Sequence, residues 1–529
     1  MTTSFMENWR PQGMPLSTLC SCAGIACPPH LAQLMIKGIT ADSRRVKEGW
    51  LFVALKGYTK NGEDFILDAC QRGAILCVAE ESPQTDPLVP VLLVSNAREA
   101  LAYLCDAWYD HPSEKFRMVG VTGTNGKTSV CAMLAHILKS AGVPCGVIGT
   151  LGCISPQGHK LAVTPSVSTA HMTTPDPEEL YLALALMAQE VESQEAVVVM
   201  EVTSHALALC KTDPINFEVG IFTNLTPEHL DFHGDMENYF NAKAKLFSAT
   251  RKAVINAQDA YGKRLVSLPS SVVERYDLCY ADDTTIHEEM GAGVCCRRIY
   301  AGQVTYMGLD GVEYRLITPH ARLRVQCPVP GEFTLKNSMQ AVAAALALGL
   351  PPSQIQKAVA NFPGVLGRME RVHLPTYVGF AVFLDYAHTP DALEHLLLTA
   401  NRLKRLGQRV VLLFGCGGDR DPSKRAVMAK IASRLADKVI VTSDNSRSED
   451  PDHIISQILT GMDKECDHVV ISRREDAIHH AIKYARRGDI ILLAGKGHET
   501  YEVDKDGQHP FCERDIVLEA VGRYHPFQI

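Results

Sequence analysis

Residues 119–129, VGVTGTNGKTS, constrain this chain more than any other stretch. An apolar run (Met118, Val119, Val121) leads into a turn of Gly, Thr and Asn. Lys127-Thr128-Ser129 then opens a segment with apolar residues at Val130, Met133, Leu134, Ile137, Leu138 and Ala141. That spacing marks one face of a helix, and Gly142 stands where a helix would stop. Strand, glycine turn and helix N-terminus in this order cradle phosphate. Backbone N–H groups and the helix dipole receive the anion, a lysine adds a point charge, and a threonine hydroxyl can ligate Mg²⁺. The strict spacing of the P-loop asks for glycine at position 121, where Val121 stands between Gly120 and Gly123.

A chain of 529 residues is too long for one core, so two to four domains are expected. Net charge is −8 and no long basic run occurs, which argues against nucleic acid as a partner. The 17 cysteines are scattered. Cys20-Ser21-Cys22 and Cys295-Cys296 are too tightly spaced for a zinc knuckle, and the rest read as small buried thiols in a reducing compartment. The first residues lack a basic region followed by an apolar one, and the longest apolar stretches are too short to cross a bilayer. A cytoplasmic protein with no membrane partner is expected.

Three blocks emerge: 1–113, 114–363 and 364–529. The first holds short strands such as Trp50–Leu55 and Ala74–Ala79 and ends at His111-Pro112. The second begins with the phosphate loop, carries buried strands at Ala196–Met200 and Val219–Thr223, and ends near Phe362-Pro363-Gly364. In the third, strand-like runs (Gly379–Leu384, Arg409–Phe414, Lys438–Thr442, Val469–Ser472, Asp489–Ala494) alternate with amphipathic segments (Pro390–Arg405, Ser423–Leu435, Pro451–Met462, Glu475–Arg486). That alternation predicts a parallel, doubly wound, Rossmann-like sheet whose ligand-binding loops share the carboxyl edge. Those loops read DYAHTP (385–390), GCGGDR (415–420), SDNSRSEDP (443–451) and GKGHE (495–499). The fold class is therefore α/β with three domains, the central one a P-loop-type ATPase domain.

Glu201, directly after the AVVVM strand, stands where a Mg²⁺ ligand is needed beside a phosphate loop. Asn224, His229 and Asp231 follow the next strand, and His229 is a candidate metal ligand. Lys243 shares a helical face with Tyr239, Phe240, Leu246 and Phe247. Two readings stay open for it: a lysine snorkelling from an apolar face, or a desolvated amine held neutral and free to react. Asp450-Pro451 reads as an N-cap with proline at the first helical position. Arg420 and Arg447, on neighbouring strand-end loops, suit bidentate capture of carboxylates.

Seven segments together resemble the ATP-dependent Mur ligases, and among them the branch that adds the third amino acid. They are GTNGKTS (123–129), MEVTSHAL (200–207), NLTPEHLDFHGDMENYFNAKAKLF (224–247), GRMERV (367–372), DYAHTPDAL (385–393), GCGGDRD (415–421) and GKGHE (495–499). The likeness runs from about Ile39 to the C-terminus. ADSRRVKEGWLFVALKG (41–57) is similar to the uridine-nucleotide-binding domain of that branch. The resemblance implies that Gly123, Thr124, Asn125, Gly126, Lys127, Thr128 and Ser129 hold the ATP phosphates, with Thr128 on Mg²⁺. It implies a second Mg²⁺ on Glu201 and His229, and carbamylation of Lys243 by CO₂, which turns a cation into a carboxylate-like metal ligand. Asn337, Arg368, Asp385 and His388 match positions that line the nucleotide. Ser43, Thr173, Thr174, Thr203 and Lys211 match contacts to the UDP-sugar substrate, and Arg420, Asp444, Asn445, Ser446, Arg447, Gly495 and Glu499 match the amino-acid pocket.

Departures occur. Ser446 replaces the proline of the usual Asp-Asn-Pro-Arg signature for diaminopimelate, while Arg447 is retained. Thr203, Leu209, Lys211 and Thr334 stand where Ser, Gln, Arg and Asn are common. The implied reaction is ATP-driven amide formation by a monomer. The carboxylate of UDP-MurNAc-L-Ala-D-Glu takes the γ-phosphoryl group, and the amine of meso-diaminopimelate attacks the acyl phosphate. Lys127, His229, Lys243 and Arg368 are the catalytic candidates, Arg368 being delivered by closure at a hinge near Gly364–Gly367. The alternatives are a lysine-adding member and a non-catalytic sensor of UDP-muramoyl peptides.

Overall fold

A computed structural model describes residues 9–10, 12–57, 61–83, 88–163, 173–192, 195–267, 272, 274–280, 297–318 and 322–526. Packing divides the chain into two compact units. One comprises residues 1–303, 315–325 and 337–359; the other comprises 304–314, 326–336 and 360–529.

The first unit holds two main sheets. A small parallel sheet sets Gly38–Thr40, Trp50–Val53, Ala74–Ala79 and Val91–Leu93 side by side in that order. Ahead of it, Leu16–Ala23 forms a short helix that buries Leu16, Leu19 and Cys20. The larger sheet has a parallel centre in the order Cys145–Gly149, Val197–Glu201, Arg117–Thr122, Phe217–Phe222, Thr250–Asn256 and Glu274–Tyr280. Every residue of Val197–Glu201 is buried, as suits a strand covered on both faces. The order matters for function. Arg117–Thr122 lies between Val197–Glu201 and Phe217–Phe222, with Val121 opposite Glu201 and Thr122 opposite Phe222. The chain leaves the central strand in one direction and returns on its other side. The glycine turn therefore emerges at a topological switch point, where open α/β sheets bind ligands.

The second unit is doubly wound, as expected. Its sheet runs Glu370–Arg371, Ala381–Asp385, Ile490–Ala494, Val410–Phe414, Lys438–Val441, His468–Val470, with only the first strand antiparallel. Side chains alternate between two cores, as the two-residue period of a strand requires. Phe383, Leu412 and Leu492 pack under Leu397, Met428 and Ile455 of the helices Pro390–Leu403, Ser423–Leu435 and Pro451–Leu459. Val382, Leu413 and Ile491 pack under Ile478, Ile482 and Val517 of Arg474–Lys483 and Glu513–Tyr524. Burying each large aliphatic chain contributes about 1.5–3 kcal/mol. Asp450 caps Pro451–Leu459 by accepting from Asp452 N, with proline at the helix start.

Some boundaries differ from expectation. The Lys243 helix begins at Met236, because Asp235 accepts from Asn238 N at 2.7 Å, and passes into a 3₁₀ turn at Lys245–Ala249. The helix expected to reach Met462 stops at Leu459. Beyond it, Gly461 lies so close to Ala426 O that a β-carbon would collide with it. The Cys295-Cys296 pair lies outside the described residues. Among the described residues no helix is long and apolar enough to cross a membrane.

Candidate active site

The glycine turn closes onto the helix Lys127–Ser140, whose N-cap Gly126 offers no side chain to its N–H groups. Gly126 has φ +89°, and a β-carbon there would sit 2.5 Å from Asn337 Oδ1; one on Gly123 would collide with Thr223 Oγ1. The Asn337 and Thr223 side chains thus pack against the turn where only glycine leaves them room. The turn is braced from the neighbouring strand end. Thr223 Oγ1 donates to Asn125 O at 2.6 Å, Asn224 Oδ1 accepts from Asn125 N at 2.9 Å, and Thr124 N donates to Asn224 O at 2.9 Å. Lys127 Nζ curls back onto Gly123 O and Thr124 O at 2.9 and 2.8 Å. The donor set, a helix N-terminus with uncapped N–H groups beside Lys127 and Thr128, fits the phosphates of a nucleotide.

Glu201 is buried, and its carboxylate gathers three donors: Thr128 Oγ1 at 3.0 Å, Thr150 Oγ1 at 3.2 Å and Thr150 N at 2.9 Å. A carboxylate beside two hydroxyls suits Mg²⁺, which takes one or two carboxylates and keeps several waters. Thr150 was not singled out in the sequence; its place after the Cys145–Gly149 strand was the available signal. His229 takes another setting. It has φ +56° and stacks edge-on against His205 at 4.7 Å between ring centroids. Burial, then the neighbouring His229 and His233, push His205 down to about 4. Among the described residues no group of three or more His, Cys, Asp or Glu is placed to hold a metal ion, so Glu201 and His229 are not members of such a group.

Lys243 is 2% exposed. Its Nζ donates to Gly123 O at 2.9 Å, the same oxygen that receives Lys127, and lies 4.6 Å from the centre of the Tyr239 ring. Burial, and then the charge of Lys127, hold its pKa well below the usual lysine value. Snorkelling is excluded, because the amine points into the phosphate turn and not to solvent.

Of the residues expected to meet the UDP-sugar, Thr174 and Thr203 stand together. Thr174 Oγ1 donates to Glu201 O at 2.9 Å and accepts from Thr203 N at 3.1 Å. Thr173 Oγ1 is 3.4 Å from Thr150 Oγ1. Lys211 is buried and ion-paired with Asp176 at 2.7 Å. Ser43 is buried in the turn Ser43–Arg45, and its hydroxyl helps to hold the Asp68 carboxyl below its usual range.

In the second unit Asp385 accepts from Met369 N at 2.7 Å and Ala387 N at 2.9 Å, fixing the turn that carries Arg368. The Arg368 guanidinium lies 5.3 Å from the Tyr386 ring centre, and His388 Nδ1 donates to Tyr386 O. The loops 415–420 and 443–451 are knitted together. Gly418 N donates to Asn445 O, Ser448 Oγ donates to Asp419 Oδ1 at 2.6 Å, and Arg425 grips Glu449 with two bonds of 2.9 Å. Arg447 has φ +52° and donates through Nη1 to Gly418 O at 2.7 Å. Arg420 is exposed and Ser446 buried. Asn445 donates to Glu499 at 2.8 Å and accepts from Lys496 Nζ at 2.8 Å. Burial opposes the charge of Asp444, but Arg474 and Lys496 outweigh it and hold the carboxyl below its usual range. Gly495, at φ +118°, leaves room for that carboxylate; a β-carbon would lie 2.5 Å from Asp444 Oδ2. Sequence reasoning passed over Lys496, although it sits in GKGHE, and Arg474, which no motif marked. It also missed the hairpin Tyr501–Asp504/Gly507–Pro510, whose Val503 N and O pair with Asn445 Oδ1 and Arg447 N.

A braced phosphate turn at a sheet switch point and a strand-end edge rich in carboxylate-binding groups define an ATP-dependent ligase scaffold. Three family models match the chain: "Mur ligase family, catalytic domain" over residues 35–109, "Mur ligase middle domain" over 121–345, and "Mur ligase, glutamate ligase domain" over 367–497. The chain belongs to the Mur ligase family, enzymes that form amide bonds with ATP. It is 38% identical over 491 residues to the UDP-N-acetylmuramoyl-L-alanyl-D-glutamate–2,6-diaminopimelate ligase of Clostridioides difficile (strain 630), covering 92% of this chain and 95% of that one. It is 40% identical over 503 residues to the ligase of the same name from Nostoc sp. (strain PCC 7120), covering 93% and 96%. A solved structure of a ligase of that name superposes with a TM-score of 0.66 at 27% identity, covering 97% of this chain and all of that one.

Proposed function

We propose that this enzyme adds meso-diaminopimelate to UDP-N-acetylmuramoyl-L-alanyl-D-glutamate, in the cytoplasm and as a monomer, in the building of peptidoglycan precursors for the cell wall. The observation that carries the reading is the convergence on one turn of Lys127, Lys243 and the Glu201–Thr128 pair. The proposed domain boundaries fall near residues 113 and 363. The free state of the cysteines whose side chains are described supports a reducing compartment.

In this reading the D-Glu γ-carboxylate attacks the γ-phosphorus of ATP, the bond to the bridging oxygen breaks, and ADP leaves. The amine of diaminopimelate then attacks the acyl carbonyl, loses a proton, and expels phosphate. Lys127 leaves the Gly123 and Thr124 carbonyls to meet the phosphoryl oxygens, where negative charge accumulates. Gly123 to Ser129 hold the phosphates, and Asn337, Arg368, Asp385 and His388 attend the nucleotide. Thr128, Glu201, His229 and a carbamylated Lys243 would hold Mg²⁺, which when bound neutralises charge on the transferring group. Only a neutral amine adds to CO₂, so the lowered basicity of Lys243 supports that modification. Ser43, Thr173, Thr174, Thr203 and Lys211 are assigned to the uridine-nucleotide substrate. Arg420, Asp444, Asn445, Ser446, Arg447, Gly495 and Glu499 are assigned to the diamino acid. Phosphate release with the UDP-dipeptide, run separately with diaminopimelate and lysine, tests the reading. Diaminopimelate-dependent release supports it, lysine-dependent release makes the enzyme a lysine-adding member, and no release with either makes it a binding protein.

A further inference from the structure

Glu178 and Glu179 open the helix Pro177–Gln189, are 4% and 1% exposed, and have no part in the mechanism above. Burying two adjacent carboxyls is costly unless hydrogen bonds and opposite charge compensate. Their contacts reach across to the other sheet of the same unit. Glu178 Oε1 accepts from Ala41 N at 2.7 Å, and the Thr40 side chain helps to stabilise its charged form. Glu179 Oε1 accepts from Arg45 Nη1 at 2.8 Å. Residues 41–45 are the loop at the carboxyl end of the strand Gly38–Thr40, the ligand-binding side of a parallel sheet. The same helix start is tied to the larger sheet. Thr174, four residues before Glu178, donates to Glu201 O at the carboxyl end of Val197–Glu201, and Asp176 pairs with Lys211.

We propose that Glu178 and Glu179 are positioning residues for the uridine-nucleotide substrate: from one helical turn they hold the 41–45 loop of the small sheet in register with the Thr174–Thr203 edge of the larger one. The inference rests on the reading that these two edges receive the UDP-muramoyl dipeptide. A substrate that spans two sheets binds more tightly when its contact points are already held at a set separation, because the protein then loses less freedom on binding. The clamp supplies that spacing without touching the reacting atoms. Arg45 faces both carboxylates, while Lys211 is committed to Asp176. Burial, then the repulsion of Glu178 and Asp176, raise Glu179 to about 8, and its Oε2 has no hydrogen-bond partner among the described residues. Burial thus favours the protonated form of Glu179, and the pair holds the loop through hydrogen bonds as well as charge.

The test measures steady-state phosphate release by the full-length enzyme, varying UDP-MurNAc-L-Ala-D-Glu, ATP and the diamino acid in turn. Glu178→Leu and Glu179→Leu are expected to raise KM for the uridine substrate about tenfold or more. The KM for ATP and kcat are expected to stay within about twofold of wild type. Glu178→Gln and Glu179→Gln keep an acceptor for Ala41 N–H and for Arg45, and are expected to restore KM to within about threefold. Should the leucine variants fail to fold, Arg45→Met releases Glu179 from the partly exposed side and is expected to give the same selective rise. An unchanged uridine KM, or a parallel loss in all three substrates, overturns the proposal. If the wild-type enzyme shows no turnover with the UDP-dipeptide, the substrate reading falls first and the proposal with it, a result distinct from normal turnover with unaffected variants.

Discussion

Arg447→Ala offers the sharpest test of the amino-acid pocket. One edge of the guanidinium is committed to Gly418 O at 2.7 Å, and the loop around it is fixed by the Asp419–Ser448 and Arg425–Glu449 contacts. The guanidinium is therefore held in place before substrate arrives, so little ordering entropy is spent on binding. Meeting a second carboxylate with it is a charge-assisted contact, and its loss costs about 1.5–3 kcal/mol. That predicts a fall on the order of ten- to a hundredfold in kcat/KM for diaminopimelate, with little change for lysine. The backbone gives an internal control. Arg447 sits at φ +52°, a conformation that costs an L-residue about 1–2 kcal/mol and that alanine inherits. Arg447→Gly relieves that strain, so it is expected to melt no lower than Arg447→Ala while being equally poor with diaminopimelate. Competition between the two amino acids, followed by product mass, reads both effects. Equal use of lysine and diaminopimelate by the wild type refutes the reasoning, as does an Arg447→Ala enzyme that keeps wild-type preference.

Lys127→Ala is expected to lower kcat by about a hundredfold or more with the melting temperature unchanged, since its ammonium serves the transferring phosphoryl group; wild-type kcat in a folded variant removes the turn from the mechanism. Lys243→Ala is expected to lose nearly all activity and to regain some with short carboxylic acids. ¹³C NMR in ¹³C-bicarbonate should show a carbamate carbon in wild type only, and its absence from an active enzyme sinks the modification. Glu179 carries a pH signature. Its folded pKa is raised from 4.5 to about 8, so the stability it contributes is full below pH 4.5 and is lost as pH climbs toward 8. Denaturant melts of wild type and Glu179→Gln across that window are expected to show wild type losing ground as pH rises; the opposite slope would make Glu179 an ordinary ion-pair carboxylate.

The strands and helices of the second unit were legible because each is buried on a side set by a short apolar period, and the chain alternates them without long insertions. The glycine turn was legible for a related reason: glycine, lysine and threonine are each demanded there by backbone geometry or charge. Pairing partners were not. Glu201 could be seen to end a strand, yet its contact with Thr150 depends on which strand lies beside it, a long-range fact that local pattern does not encode. Lys243 was undecided between two settings, and only the packing of its helix against the turn resolves it. Arg474, fully buried and paired with Glu513, looked like any surface arginine in SRRED. That His229 would meet His205 edge-on was likewise hidden, because the contact joins segments after two different strands.

The doubly wound sheet of the second unit buries both of its faces under its own helices, and the loops proposed to bind the amino acid share the carboxyl rim of its strands. Such a layout separates what must stay from what can vary. The interior strands tolerate few changes, and in the loops the buried Asp444, Asn445 and Ser446 are nearly as constrained, whereas exposed positions such as Arg420 and Thr500 can vary at little cost to folding. Mutational libraries confined to the exposed positions of those loops are therefore the economical way to search for an altered amino-acid preference.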